Sequence, residues 1–222
     1  MHKNKVSFTC RLILYIMAGL PALFPLRAIS QNTPMDAPSI ASLRNRVKEV
    51  SQQTTTISCD FIQEKEMNMI SEKIISRGKF YLKKEKKLRW EYLSPFAYLI
   101  IINNDKIYIR DEEKINQISL KSNKIFLEIN RIILGSIQGT LLTDEQNFSA
   151  SFFETPASWM VRLKTLAPQL KESLSEIVIW FDRKDVTVTR IEINEAGGDF
   201  TRISFSAKRL NQPIADEMFT VR

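Results

Sequence analysis

Gly78-Lys79-Phe80-Tyr81-Leu82-Lys83-Lys84-Glu85-Lys86-Lys87-Leu88-Arg89-Trp90-Glu91-Tyr92-Leu93-Ser94-Pro95 is the stretch whose reading decides the fold. Phe80 and Leu82 alternate with Lys79, Tyr81 and Lys83, a period of two that marks a half-buried strand. A basic turn follows over 83–87. Leu88, Trp90 and Tyr92 then alternate with Lys87, Arg89 and Glu91, and Pro95, which has no N–H to give a ladder, stops the run. The two strands form an antiparallel hairpin with large aromatics on one face and charges on the other.

Outward from this hairpin the same plan repeats. Upstream, residues 54–63 alternate and are rich in β-branched types. Downstream, 98–102 is apolar on both faces, so this strand is expected to be covered on both sides. Asn103, Asn104 and Asp105 supply turn chemistry before 106–110, and 115–120 follows. Further strands are expected at 147–153, 159–166, 176–182, 186–194 and 200–209, with turns at 155–158, 168–173 and 197–199. In 186–194 the apolar parity switches from Val186 and Val188 to Ile191 and Ile193, which predicts a bulge near Arg190.

Two segments have helical spacing instead. Over 38–53, Ile40, Leu43, Val47 and Val50 form one stripe opposite Arg44, Arg46, Lys48 and Glu49, a helix expected to pack on the protein's own sheet rather than on a membrane. Over 123–137, Ile125, Ile129, Ile132, Ile133 and Ile137 recur at i, i+4, i+7 and i+8, with Asn123 as N-cap and Gly139 just past the end. The fold class that follows is α+β, mainly β. About ten strands make a curled antiparallel sheet, an unclosed β-barrel or half-barrel, with amphipathic helices over its concave apolar face.

The chain has 222 residues and a formal net charge of +7. Four of its basic residues, Lys3, Lys5, Arg11 and Arg27, lie in the first 30, where there is no acidic residue. The remaining +3 is too mild to indicate nucleic acid. Basic residues leading into an apolar run over 12–26, with small Ala28 and Ser30 behind it, read as a cleavable secretory signal cut after Ser30 or Ala28. The expected organisation is a signal peptide over 1–30 and one domain over 31–222. Cys10 precedes the apolar run, so it is misplaced for lipidation at the cleavage site.

Export would leave Cys59 as the single cysteine and no histidine, since His2 departs with the signal. One cysteine closes no internal disulfide, and its parity with Ile57 and Phe61 reads as a small buried side chain. Without histidine, most Ser/His and Cys/His nucleophiles and most zinc sites are excluded. Glu64, Glu66, Asp111 and Glu112 lack histidine partners, and no G-x-S-x-G elbow is present. No catalytic residue, metal ligand or cofactor is therefore assigned, although a carboxylate-pair enzyme survives as the less favoured alternative. A membrane-spanning barrel conflicts with the charged outward positions Lys79, Lys87, Arg89 and Glu91.

The order of these pieces resembles the periplasmic outer-membrane lipoprotein carriers, the LolA family. It is carried by the leading helix, Cys59-Asp60-Phe61-Ile62-Gln63, residues 78–84 and 88–92, the 103–106 turn with Ile107-Tyr108-Ile109, and a closing 213–219 segment similar to the family's C-terminal strand. The resemblance implies a monomeric periplasmic carrier whose helical lid covers an apolar cavity for acyl chains. Such a carrier takes lipoproteins from an inner-membrane transporter and passes them to an outer-membrane receptor. The residues it assigns to the cavity are Phe80, Leu82, Leu88, Trp90, Tyr92, Ile100, Ile129 and Ile133. Lys84 stands where family members have a lid-controlling arginine, and Leu88 where they have phenylalanine. Core packing fits Trp90, Tyr92 and the central helix as well as cavity lining does, and the basic turn over 83–87 suits either solvent or a headgroup. A half-barrel used for structure or interaction, without lipid, is the rival reading.

Overall fold

The structure, a computed structural model, describes residues 32–68, 70–84, 86–111, 114–119 and 124–220, with the side chains at 70–71 and 124–130 outside that description. The expected signal over 1–30 and the Asn123 N-cap lie outside the described residues. In chain order the elements are β1 (Thr33–Pro34), α1 (Ala37–Gln53), β2 (Thr56–Met67), β3 (Ile70–Lys83), β4 (Lys87–Ser94), β5 (Tyr98–Asn103), β6 (Lys106–Asp111) and β7 (Lys114–Ser119). Then come α2 (Lys124–Gln138), β8 (Phe148–Glu154), β9 (Ser158–Thr165), α3 (Pro168–Lys171), β10 (Leu174–Asp182), β11 (Val188–Glu195) and β12 (Phe200–Leu210).

One antiparallel sheet holds all twelve strands, in the order β1-β8-β9-β10-β11-β12-β2-β3-β4-β5-β6-β7. Sequential hairpins build each half, and a single non-local pairing joins them: β12 runs along β2 from Phe200 opposite Glu66 to Leu210 opposite Ile57. β1 and β7 are left as the two edges, so the barrel is unclosed.

Register stacks the apolar positions in rows. Cys59 faces Phe80, Phe80 faces Trp90, Trp90 faces Ile100 and Ile100 faces Ile109 across β2 to β6. A second row, Ile57, Leu82, Leu88, Ile102 and Ile107, lies beside it. Both rows belong to one apolar cluster; Phe148, Phe152, Leu163, Ile179 and Ile191 of the other half belong to a second.

The chain leaves β7 at one edge and must reach β8 near the other, so its crossover has to traverse the inner face. α2 makes that crossing. Its consecutive Ile132 and Ile133, 4% and 3% exposed, divide between the two clusters. α1 starts at Asp36, whose side chain accepts the Ser39 N–H at 2.9 Å, with Pro38 in its first turn. Leu43 and Val47 bury its stripe on the β8–β11 half. Arg44 and Arg46 do not face open water, as expected from the sequence, but lie over the Phe152 and Trp159 rings at 5.1 and 4.7 Å.

β5 is covered on both faces, as its composition predicts. Its outward Leu99 and Ile101 are buried with Phe219 of the C-terminal turn. That turn corrects one expectation, since Asp216–Phe219 is a 3-10 turn and not a strand. Two others are corrected as well. Among the described residues the sheet has twelve strands rather than about ten, the two-residue β1 included, and the turn over 168–173 contains the short helix α3. The bulge near Arg190 is present: Trp180 pairs with Arg190 and Phe181 with Val188, leaving Thr189 unpaired.

Gly78 shows how tightly the hairpin closes. A Cβ there would lie 1.9 Å from the Glu91 carbonyl oxygen and 2.7 Å from the Phe61 ring. Backbone and a buried ring have no room to yield, so Gly78→Ala is expected to lower stability by about 1–3 kcal/mol. Urea unfolding followed by tryptophan fluorescence reads that loss; an unchanged midpoint would mean that the β3–β4 bulge relaxes freely.

Candidate functional site

Where the helices meet the inner face they leave a cavity of about 140 Å³. The end of α1 contributes Val50 and Thr54, the second half of α2 contributes Leu134 and Ile137, and β2 and β3 contribute Ile57, Cys59, Phe80 and Leu82. The far half of the sheet supplies Val186, Val188, Phe205 and Leu210. A cavity on the order of 150 Å³ accommodates benzene, so this one takes a short apolar group and not a sixteen-carbon chain with the helices in place.

The rim is polar. Lys83, Lys84 and Lys86 come from the β3–β4 turn and Lys208 from β12. Lys84 Nζ donates to the Gln52 carbonyl in the last turn of α1 at 2.8 Å. That helix has no basic residue of its own in its last turn, so Lys84 supplies the positive charge that its carbonyl end favours. The resemblance placed Lys84 at the lid; among the described residues its helical contact is with α1 rather than with α2. Thr54 closes the same helix end, its N–H and hydroxyl both donating to the Val50 carbonyl at 3.0 and 2.7 Å.

The sequence-assigned cavity residues separate into layers. Phe80 and Leu82 line the cavity. Leu88, Trp90 and Ile133 are buried in the apolar cluster beside it, and Tyr92 and Ile100 are half-buried against that cluster. The Ile129 side chain lies outside the description. Trp90 meets Phe61 and Phe80 edge-on, with ring centres 5.1 and 5.2 Å apart. Its indole Nε1 is buried without an acceptor among the described residues. Tyr92 donates its hydroxyl to Gln63 Oε1 at 2.9 Å, and burial pushes its pKa up.

Sequence reasoning missed the contribution of β11 and β12, whose Val188 and Phe205 reach the cavity across the β12–β2 seam. It also missed Lys208. Cys59 was legible as a buried residue, and its parity with Ile57 and Phe61 was the available signal. Among the described residues no group of three His, Cys, Asp or Glu side chains is placed to hold a metal ion.

The family model described as outer membrane lipoprotein carrier protein LolA matches residues 52–222. An outer-membrane lipoprotein carrier protein from Chromobacterium violaceum is 27% identical over 201 residues, covering 89% of this chain and 92% of that protein. A protein of the same description from Halorhodospira halophila is 24% identical over 144 residues, covering 65% and 64%. In three dimensions the chain is similar to an uncharacterized conserved protein from Thermus thermophilus, with a TM-score of 0.50, 9% identity, and coverage of 82% and 92%.

Cys59 is a built-in reporter of cavity opening. Burial pushes its thiol up to about 12, so the reactive thiolate is scarce at neutral pH. Maleimide labelling at pH 8, followed by mass spectrometry of the Cys10→Ser protein, should run more than roughly a hundredfold slower than for an exposed thiol near its ordinary pKa of about 8.5. Lys84→Gln, which removes the bond to α1, should speed it. Rapid labelling of folded protein with Lys84 intact would show that the helices do not seal the cavity.

Proposed function

The chain belongs to the outer membrane lipoprotein carrier protein LolA family, and from that premise we propose that it carries the acyl chains of lipoproteins, or of a related lipid, through the periplasm between its helices and the inner face of its sheet. Residues 1–30 act as the export signal in this reading, and 31–222 form the carrier, working as a monomer. Loading takes place at an inner-membrane transporter and delivery at an outer-membrane receptor.

One observation carries the proposal: an apolar inner face is covered by helices, and the space left under them is too small for the cargo. Each buried methylene contributes roughly 0.8 kcal/mol, so a sixteen-carbon chain gains on the order of 10 kcal/mol by entering. That is ample to displace helical contacts of similar kind. Ile132 and Ile133 make α2 a cover that shields the empty walls, and the Lys84–Gln52 bond holds the end of α1 against the mouth. The Trp90 N–H, without an acceptor among the described residues, supports the same reading. A permanent core rarely leaves such a donor unsatisfied, whereas an ester carbonyl of cargo would accept from it.

Two variants test the proposal. A fluorescent fatty-acyl probe should gain emission saturably, and Trp90→Ser should weaken its binding by roughly tenfold or more, the loss of about 1.5–3 kcal/mol of apolar contact. Ile133→Asp places an unpaired charge against apolar walls, costing several kcal/mol unless α2 swings away. The expected result is a folded protein with faster hydrogen exchange over 131–138 and altered probe binding. Global unfolding of Ile133→Asp, with no separable opening of α2, would make the helix ordinary core.

A further inference from the structure

The cavity's rim carries charge of one sign. Lys83, Lys84, Lys86 and Lys208 all line it, and among the described residues no aspartate or glutamate does. Neighbouring carboxylates answer some of these cations. Lys83, with Lys87 behind it, reaches Asp216 of the C-terminal turn at 2.5 and 3.0 Å. Lys208 lies 3.7 Å from Asp185 and donates to the Thr187 hydroxyl. The other two differ. Lys84 is exposed and bonded to the neutral Gln52 carbonyl, and Lys86 is exposed at a positive φ of 59°. Among the described residues neither has a carboxylate within ion-pair distance; Glu85, between them in sequence, lies outside those residues.

An apolar cavity with two cations at its mouth that no described carboxylate pairs has the polarity of an anionic amphiphile in reverse. Resting on the carrier reading in its related-lipid form, since the acylated cysteine of a lipoprotein has no phosphate, we infer that the cargo this cavity takes is a long-chain lipid with a phosphate headgroup, its chain under the helices and its phosphate on Lys84 and Lys86. A cationic headgroup is repelled there, and a neutral one brings the two ammonium groups no counter-charge. Ser51 stands on the same rim and offers a hydroxyl donor to a remaining phosphate oxygen, whereas the Thr54 and Thr55 hydroxyls already donate to the Val50 carbonyl and to Asn211 Oδ1. Headgroup arrival and helix release are then linked. The Lys84 ammonium already makes a charge-assisted bond to the Gln52 carbonyl, and a phosphate oxygen adds to such a bond the attraction of its own negative charge. Phosphate therefore draws Lys84 off Gln52 and frees the end of α1 as the chain enters.

The test uses two probes with one fluorophore and one hexadecyl chain, ending in a phosphate or in an alcohol, titrated into the purified protein. The phosphate probe is expected to bind roughly tenfold tighter at low salt, as for hydrogen bonds to charged groups. High salt should shrink that preference. The ratio of the two affinities should fall stepwise in Lys86→Gln, which leaves the Gln52 bond intact, and in Lys84→Gln/Lys86→Gln. Using the ratio removes any effect of a loosened helix, since both probes share the chain. Equal affinities with both lysines present, or a ratio unmoved in the double variant, overturns the headgroup assignment and leaves carriage standing. Displacement of the phosphate probe by inorganic phosphate alone assigns the rim to free anions and overturns it equally. Failure of both probes to bind removes the carrier reading and this inference with it.

Discussion

The pairing of β12 with β2 is the constraint on which the rest depends. Every other contact between neighbouring strands except the short β1–β8 pairing is a local hairpin, formed at small loop-closure cost. β12 and β2 come from opposite ends of the described chain, and until they meet there is no continuous inner face to cover. Once they meet, the two edges are fixed as β1 and β7. β1 is two residues long and ends in Pro34, while β7 opens with Lys114 and is mostly exposed, both features that discourage pairing with another chain. The open side of the sheet is thereby available to helices rather than to further strands.

The route of the chain then decides where α2 sits. A connection from β7 to β8 has to cross between the far ends of the sheet, and the amphipathic 3.6-residue period lets it do so with an apolar face down. Ile132 and Ile133 contact different clusters because neighbouring helix positions point about a hundred degrees apart. A cover and a core helix look alike in a closed form, since both bury the same side chains. What would separate them is the tether: the end of α1 is held at the rim by a polar bond, Lys84 to Gln52. Bonds of that kind exchange readily with solvent or ligand.

Much of this was legible in the sequence because alternation is a local property. The parity of 80, 82, 88, 90 and 92 placed five side chains on one face, and the switch of parity after Val188 located a bulge near Arg190, where the structure leaves Thr189 unpaired. The two-faced apolarity of β5 foretold an outer cover. It did not say that Phe219 supplies it, because a single 3-10 turn has no period to read. Likewise nothing local to Lys84 says which helix end it meets, and nothing local to Val188, Phe205 or Lys208 says that they share a cavity with Phe80. The first follows from the β2–β3 pairing, which sets Lys83 opposite Thr56 just past α1; the second is made by the β12–β2 seam, whose partners are too far apart in sequence for periodicity to relate.

The identity of the tether has its own consequence. Where family members are expected to have a planar arginine, this chain has a lysine, which presents a compact point charge on a flexible stem. A guanidinium fork can hold several carbonyls of a helix end at once and loses them together. A single ammonium holds Gln52 through one bond and can leave it for another acceptor without disturbing the remainder of α1, whose Val50 carbonyl is closed independently by Thr54. A lysine tether is therefore weaker but more easily exchanged, which would suit the anionic headgroup inferred for the cargo.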